Sequence, residues 1–469
     1  MIRIGQKIMH TWSRLGPRFL PFADAATPEM PLSRLLRLSL FQVSVGMALV
    51  LLVGTLNRVM IVELNVPASL VAIMISLPVL FAPLRALIGF RSDTHRSALG
   101  WRRVPFIWKG TLIQFGGLAI MPFSLLVLSG GGNSSQWPVE VGYLGAGLAF
   151  LLVGAGLHTI QTAGLALATD LAPVESQPKV VGLMYVAQLA GMIVSALVFG
   201  ALLEEFSPAR LIQVIQGSAV VTVALNILAL WKQETRRPMR RGAPLAAQGA
   251  EPSFRQSWAR FAQGTYAMRR LAAVGLGTMA FSMQDVLLEP YGGQILGLSV
   301  AATTQLTATL AAGGLIGFGL ASRVLSRGAD PYRMASIGAL VGVPAFIAVI
   351  LSAPLHAPLL FSFGALLIGL GGGLFAHGTL TATMNLAPKE QVGLAMGVWG
   401  AVQATAAGIG VALGGVMRDV VMALSARQVL APSAASGYTF VYTLEIVLLL
   451  ATLVALVPLA RRVGQAVPT

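Results

Sequence analysis

The sequence predicts an all-α integral membrane protein with twelve transmembrane helices in two six-helix halves. Of the 469 residues, 56% are hydrophobic and only 10% are charged, whereas soluble domains carry about 25% charged residues. The apolar runs are continuous and about 20 residues long, as bilayer-spanning helices require, and lack the alternation of a membrane barrel. One long hydrophilic stretch near the middle of the chain separates six apolar runs from six others.

The individual spans follow from the apolar runs between polar, glycine-containing or proline-containing segments. We place them at approximately 36–62, 68–90, 104–128, 141–168, 180–203, 209–231, 271–297, 300–322, 332–353, 357–384, 391–417 and 437–460. The same pattern divides the chain into a basic amphipathic N-terminal segment, an N-terminal half, a linker, a C-terminal half and a tail, at 1–35, 36–231, 232–270, 271–460 and 461–469.

The distribution of positive charge predicts the orientation of the chain. Most of the 32 Lys and Arg residues fall in the N-terminal segment, the tail or the even-numbered connections, and only Arg210, Arg418 and Arg427 lie clearly on the other side. The positive-inside rule therefore places both termini in the cytoplasm. The net charge of +15 then indicates contact with anionic lipid headgroups, not with nucleic acid. In the N-terminal segment, apolar residues at helical spacing favour a cationic interfacial helix over a disordered leader.

An internal repeat supports the two-half architecture. A shift of 215 positions without a gap places Asp170-Leu-Ala-Pro173 on Asn385-Leu-Ala-Pro388 and Gln188 on Gln403, and it also superimposes several glycines. Spans 4 and 5 therefore repeat as spans 10 and 11. Two repeated six-helix halves are typical of the major facilitator superfamily, in which a central cavity lies between the halves.

The connection between spans 2 and 3 resembles the loop motif of that superfamily. Its residues are Gly89, Asp93, Gly100, Arg102 and Arg103. In such a motif the glycine permits close helix packing, and the acid engages basic side chains and a helix N-terminus. The spacing from glycine to arginine is longer here than in the usual pattern. The alternative is a topogenic basic loop that also holds the helices together.

The seventh span contains two acidic residues beside a predicted helix break. Asp285 and Glu289 are four residues apart, so on a continuous helix they share one face. Pro290 cannot donate a backbone hydrogen bond, and Gly292 and Gly293 weaken the helix further. Charges within a span cost free energy unless they face protein or water. The stretch therefore predicts a polar site in a protein-lined cavity, with a helix break at Pro290–Gly293.

Few other ionisable residues occur within the predicted spans. We expect Arg58 to reach the membrane surface by snorkelling, and Arg85 is placed to do the same. The alternative is a structural ion pair of Asp285 with Arg85 or Arg58. Glu445 is expected near an interface.

Two histidines within the spans have two interpretations. His158 and His377 lie in spans 4 and 10 among glycines and other small residues. A neutral imidazole there either packs through hydrogen bonds or ligates a metal such as the magnesium of a chlorin. No catalytic triad, phosphate loop or metal-ligand cluster is visible, and there is no cysteine. We therefore expect neither an enzyme nor a nucleotide or free metal ion.

Four long motifs resemble the PucC/LhaA group, the bacteriochlorophyll delivery family of the major facilitator superfamily. They are Gln284–Gly293, Ser92–Trp108, Leu35–Gly46 and Gly54–Glu63, and the resemblance extends from about Phe19 to the last span. It implies a factor that assists assembly of light-harvesting complexes in the intracytoplasmic photosynthetic membrane of purple bacteria. The implied cargo is bacteriochlorophyll, and the implied partners are antenna polypeptides, with the reaction centre or pigment-synthesis enzymes as further candidates.

Two alternatives remain open on the residues themselves. One is a secondary transporter that couples protons through Asp285 to an amphipathic solute. The other is a scaffold on the antenna ring that binds no pigment.

Overall fold

The computed structural model describes most of the chain, namely residues 25–27, 30–78, 88, 92, 100–173, 176–234, 267–386, 392–427 and 433–463. Several predictions fall at least partly outside this range. Within the predicted linker, only residues 232–234 and 267–270 are described. The predicted N-terminal segment is described from residue 25, and the tail to residue 463. The division into segments therefore remains a prediction.

The N-terminal half is a series of helices whose bounds agree closely with the predicted spans. They are α1 (Leu32–Glu63), α2 (Ala68–Ser76), α3 (Val104–Ser129), α4 (Val139–Leu171), α5 (Gln177–Leu202) and α6 (Pro208–Leu230). Most of α1 beyond Leu49 has π-helical turns, at Val50–Leu56 and Val59–Glu63. Such wide turns are rare and occur often at functional sites.

The C-terminal half continues the pattern. Its helices are α7 in two parts, α7a (Ala267–Ser282) and α7b (Leu288–Gln294), then α8 (Val300–Leu325), α9 (Pro331–Ser352), α10 (Pro358–Leu386), α11 (Val392–Ala426) and α12 (Ser436–Val463). Among the described residues, eleven helices are long and apolar enough to cross a membrane, while α2 is described over only part of its predicted span. The predicted all-α membrane fold is confirmed.

The described parts of the repeated helices lie at the predicted offset. In the N-terminal half, α4 ends at Leu171 and α5 begins at Gln177. In the C-terminal half, the described part of α10 finishes at Leu386 and that of α11 begins at Val392, each 215 positions later. Residues 387–391 lie outside the described part of the chain.

Short connections join the helices at one end of the bundle. Residues 64–67, 203–207, 295–299 and 353–357 each link two antiparallel neighbours there. We call this the distal end, and we call the opposite end, where the described chain begins and finishes, the proximal end. The halves pack against each other through α5 with α8, α2 with α11, and α1 with α7 and α8.

Polar contacts hold the halves together at the distal end. The Ser69 amide in the first turn of α2 donates to the Asp419 carboxylate of α11 at 2.7 Å, a favourable place for a negative charge. Arg418 pairs with the same carboxylate at 2.7 Å. In the same direction as Ser69, Arg58 of α1 donates to the carbonyl of Leu298 at 3.1 Å. In these contacts between the halves, the N-terminal half contributes the donors and the C-terminal half the acceptors at the distal end.

Candidate functional site at the interrupted seventh helix

The seventh helix is interrupted one turn before the predicted position. A 3-10 turn over Met283–Val286 follows α7a, and α7b begins at Leu288. Pro290, Gly292 and Gly293, which we predicted to form the break, lie inside α7b. The correction has a simple cause. Proline fits the first turn of a helix and disturbs the turn that precedes it, because the missing N–H and the ring clash both affect the carbonyl four residues earlier.

Asn57 of α1 binds the carbonyls exposed by this interruption. Its Nδ2 donates to the carbonyl oxygen of Val286 at 3.1 Å and lies 3.5 Å from that of Asp285. Val286 is the residue whose carbonyl an amide at position 290 would otherwise bind. Because buried backbone acceptors need a partner, the side chain of one half takes over a helical hydrogen bond of the other half.

Glu289 faces α1 and α8. It is 4% exposed, and one carboxyl oxygen accepts a hydrogen bond from the hydroxyl of Thr307. A Cβ atom at Gly54 would lie 2.6 Å from the same oxygen. Only a glycine at this position of α1 therefore allows the carboxyl group to approach the helix so closely.

Asp285 has different neighbours, so the two acids do not share one face as a continuous helix would require. The turn that carries it packs between α1, α2, α11 and α12, which places the acid inside the bundle. One Asp285 carboxyl oxygen accepts from the side-chain amide of Gln284 at 2.5 Å. On α12, Glu445 lies beside the same turn and close to the backbone amide of Gln284. Glu445 is fully buried among protein side chains, and its expected place near a membrane interface stays a prediction.

The expectation that Arg58 snorkels is wrong. Arg58 is 4% exposed and pairs with Glu63. Its guanidinium group occupies the space that a side chain at position 293 would fill, because Nη2 lies 3.1 Å from the place of a Cβ atom on Gly293. The glycine that we assigned to a helix break makes room for this guanidinium group. Arg85, the other proposed partner of Asp285, lies outside the described residues.

The two histidines lie in different halves. His158 is on α4 and His377 on α10, and both are half-buried. The His377 ring meets the ring of Phe318 edge-on, with centroids 4.3 Å apart. Phe318 also contacts Tyr185 of the other half, at 6.4 Å. His377 thus belongs to an aromatic group that crosses the boundary between the halves.

The predicted loop motif is described only in its second part. Gly89 and Asp93 lie outside the described residues. Gly100 has a φ of +79°, a conformation that favours glycine. Arg102 and Arg103 pair with Asp170 of α4 at 2.8 Å and 3.0 Å.

A second acid covers the N-terminus of α3. The Glu234 carboxylate accepts from the backbone amides of Arg102, Arg103 and Val104 at 2.7–3.1 Å. The motif gave no signal for Glu234, which lies just after α6 and about 130 residues beyond the motif. In the sequence, Asp170 stands out only as part of the internal repeat. Together the two acids perform the roles expected of the motif's aspartate.

A groove of about 620 Å³ opens on the outer surface of the bundle, between the proximal ends of α3 and α6. Three tryptophans line it, Trp101, Trp108 and Trp231, together with Ile227 and Leu230. Trp108 and Trp231 are exposed. Tryptophan at this depth combines an apolar ring with a polar N–H and suits the border between lipid and water.

The sequence has close relatives over nearly its whole length. Residues 55–464 match the family described as PUCC protein. Protein PucC of Rhodovulum sulfidophilum is 64% identical over 90% of this chain and 92% of the relative. Protein PucC of Cereibacter sphaeroides is 57% identical over 98% of each chain. The "Bacteriochlorophyll synthase 44.5 kDa chain" of Rhodobacter capsulatus is 28% identical over 93% of this chain and 97% of that protein.

Solved transporter structures share the fold. A bacterial homologue of ferroportin in its inward-facing state superimposes with a TM-score of 0.65 at 15% identity, over 91% of this chain and 98% of that one. A bacterial Spinster homologue gives 0.62 at 16% identity, over 92% and 95%. These similarities show that the chain has the fold of these transporters. The matches in sequence identify this multi-pass membrane protein as a member of the PucC family.

Proposed function

We propose that this protein assists the assembly of bacterial light-harvesting complexes. In this role it binds bacteriochlorophyll, nascent antenna polypeptides or both while they enter the photosynthetic membrane. The observation that carries the proposal is the 57–64% identity to two PucC proteins over 90–98% of the chain. The relative named as a bacteriochlorophyll synthase chain supports a connection with the pigment. We propose a binding role, without a catalytic step.

The chemistry of the pigment fits two features of the structure. A chlorin is flat and mostly apolar, and its magnesium accepts an imidazole ligand. The tryptophan-lined groove between α3 and α6 lies within the size range of about 300–1,000 Å³ that is usual for small-molecule sites. His377, with the aromatic rings of Phe318 and Tyr185 beside it, is a candidate ligand, as is His158. Antenna polypeptides, the reaction centre and pigment-synthesis enzymes are the proposed partners.

Purification in mild detergent from a pigmented membrane tests this proposal. We expect bacteriochlorophyll and antenna polypeptides to co-elute with the protein, as detected by absorption spectrum and by protein gel. Pigment without antenna polypeptides would favour a pigment carrier, and antenna polypeptides without pigment would favour the scaffold. Recovery of neither would contradict the proposal.

Substitutions within the groove localise the binding. The variant with Trp108→Ala and Trp231→Ala should lose bound pigment or antenna polypeptide, because it removes most of the aromatic lining. Trp137→Ala is the matched control, since Trp137 is an exposed tryptophan at the distal end.

His158→Leu and His377→Leu test whether either imidazole binds the magnesium of the pigment. An unchanged pigment content and spectrum in both variants would remove the histidines from the site.

Proton-coupled transport is the alternative function, and the acids inside a transporter fold are the observation that favours it. In this case Asp285→Asn should abolish the proton-dependent uptake of an amphipathic solute into vesicles. Normal antenna assembly in the same variant would show that Asp285 is not central to assembly.

We also propose that the membrane is the intracytoplasmic photosynthetic membrane, with both termini in the cytoplasm. Terminal tags should then be accessible to protease only from the cytoplasmic side. Cleavage of either tag from the other side would contradict this orientation.

A further inference from the structure

We infer that Glu445, together with Gln284 and Asn57, forms a buried site for a small monovalent cation, either a proton or a sodium ion. The inference is independent of the proposed function, because it rests on hydrogen-bonding atoms inside the bundle and not on the family. Glu445 is 0% exposed, its carboxyl group approaches the backbone amide of Gln284, and among the described residues it forms no ion pair and no hydrogen bond with a side chain.

The neighbouring polar groups leave further acceptors unsatisfied. Gln284 is 2% exposed, and its side-chain amide donates to Asp285 and to the carbonyl of Phe281, which leaves its Oε1 without a donor. Asn57 is fully buried and uses its amide on the carbonyls of α7, so its Oδ1 is likewise unpaired. The hydroxyl of Tyr442, one turn before Glu445 on α12, is also buried and unbonded.

No cationic side chain of the described residues neutralises these acceptors. The helices that pack on α12 are α7, α9 and α11, and from them Asp285 and Tyr291 face this region. Arg418 and Asp419 of α11 are bound to each other at the distal end. Arg333 of α9 and Arg269 and Arg270 of α7a lie in the first turns of their helices, at the proximal end. There Arg269 donates to the carbonyls of Val454 and Ala455. Tyr438 on α12 itself is bound to Gln294.

A small cation satisfies such a cluster of oxygen acceptors. Carboxylate, amide and hydroxyl oxygens are the ligands that hard cations prefer, whereas leaving several buried acceptors unpaired is unfavourable. Asp285 and Glu445 each lie nine residues from the distal end of their helices, roughly 13 Å at helical rise. The cation therefore reaches the site through the protein interior.

The site also connects the halves. Asn57 belongs to the N-terminal half, while Gln284 and Glu445 belong to the C-terminal half. A bound cation attracts oxygens from both halves at the depth where α7 is interrupted. Occupancy of the site therefore favours the arrangement in which the distal end is closed.

The test measures thermal unfolding of the full-length protein in detergent or nanodiscs. Sodium chloride is compared with choline chloride at constant ionic strength and pH, and the carboxyl C=O stretch is followed by infrared difference spectroscopy. If the cation is sodium, Tm rises with sodium concentration, because ligand binding stabilises the folded state, and Glu445→Gln weakens this response more than about tenfold. If it is a proton, sodium has no effect, and a pH-dependent carboxyl band disappears in Glu445→Gln. Absence of both signals overturns the inference.

Two further variants keep the result interpretable. Glu204→Gln makes the same chemical change at an exposed position near the distal end and should leave both signals intact. Tyr442→Phe removes a single hydroxyl, so it should fold and weaken the response without eliminating it. An unaltered response in both Glu445→Gln and Tyr442→Phe would also refute the site.

Discussion

Asn57 illustrates how a single residue compensates for a proline on another helix. The carbonyl of Val286 has lost its ordinary helical donor at position 290, and the side chain of Asn57 replaces that donor at 3.1 Å. The consequence is that the stability of α7 depends on a residue of α1.

A double-mutant cycle between Asn57 and Pro290 tests this compensation. Asn57→Leu should destabilise the protein by about 1–3 kcal/mol, the usual effect of leaving a buried acceptor unpaired. In a Pro290→Ala background the loss should be smaller, because alanine restores an N–H four residues after Val286. Unfolding in detergent measures both losses, and equal losses in the two backgrounds would contradict the explanation.

For single residues, the sequence predicts that a polar site is present better than it predicts which atoms meet there. Asp285, Glu289 and Pro290 indicate an interrupted, protein-facing helix, and the structure has one. The position of the interruption could not be predicted, because it depends on whether Asn57 can reach the exposed carbonyls. The complete burial of Glu445 could not be predicted, because a position along a helix does not reveal which neighbours cover it.

At the scale of helices, close packing of α2 on α11 depends on Gly415. A Cβ at this position would lie 2.7 Å from the carbonyl oxygen of Ala68 and even closer to the side chain of Ala72. The carbonyl of Ala68 belongs to the backbone of α2, so it cannot move aside as a flexible side chain can. Gly400, on the same helix, has no atom within 4 Å of its Cβ position.

These two glycines form a matched pair for substitution. Gly415→Ala should destabilise the protein by about 1–3 kcal/mol through overpacking. Gly400→Ala should have no destabilising effect, because alanine favours a helix over glycine. Thermal unfolding of the two variants in the same detergent measures the difference. A comparable loss in Gly400→Ala would mean that overpacking against α2 is not the cause.

The capping of α3 by Glu234 gives a second test at this scale. Glu234→Ala removes a carboxylate from three backbone amides and from the positive end of the helix dipole. The expected loss is about 1–2 kcal/mol, and high salt should reduce it. Glu205→Ala, at an exposed position outside any helix, should have little effect on the midpoint of denaturant unfolding. A loss of the same size in both variants would argue against capping.

The helix ends show which features of an element a sequence can predict. The internal repeat places α4 and α10 in equivalent positions of the two halves, and the described parts of both helices lie there. The cap on α3 could not be predicted in this way. It joins Glu234 to residues about 130 positions earlier, and its acid lies in a segment whose composition suggests only a linker.

At the scale of the whole molecule, the closed distal end allows transport across the membrane to be separated from transfer within it. The Cγ atom of Gln305 on α8 lies 2.6 Å from the Cβ position of Gly200 on α5. Cysteines at the two positions are therefore close enough for a disulfide between the halves. The chain has no cysteine of its own, so no competing disulfide can form.

We expect the oxidised variant with Gly200→Cys and Gln305→Cys to support antenna assembly as well as its reduced form does. The reason is that lateral handling of pigment or polypeptide does not require the distal end to open. The amount of assembled antenna, measured from its absorption, is compared with that of each single-cysteine variant. If oxidation alone abolishes assembly, alternating access is required and the transporter function gains support.

The π-helical turns of α1 have a consequence for insertions and deletions. A π-helical turn contains about one residue more than an α-helical turn, so the stretch Val50–Leu56 accommodates extra chain length within a continuous helix. Deleting one residue there would restore α-helical winding and leave the later residues nearly in register. If instead the stretch kept all its residues and wound as an α-helix, the extra residue would rotate all later residues by about 100°. Asn57 and Arg58 would then turn away from Val286 and Leu298 together. The helical winding of α1, and not only the identity of its side chains, therefore determines the contacts between the two halves.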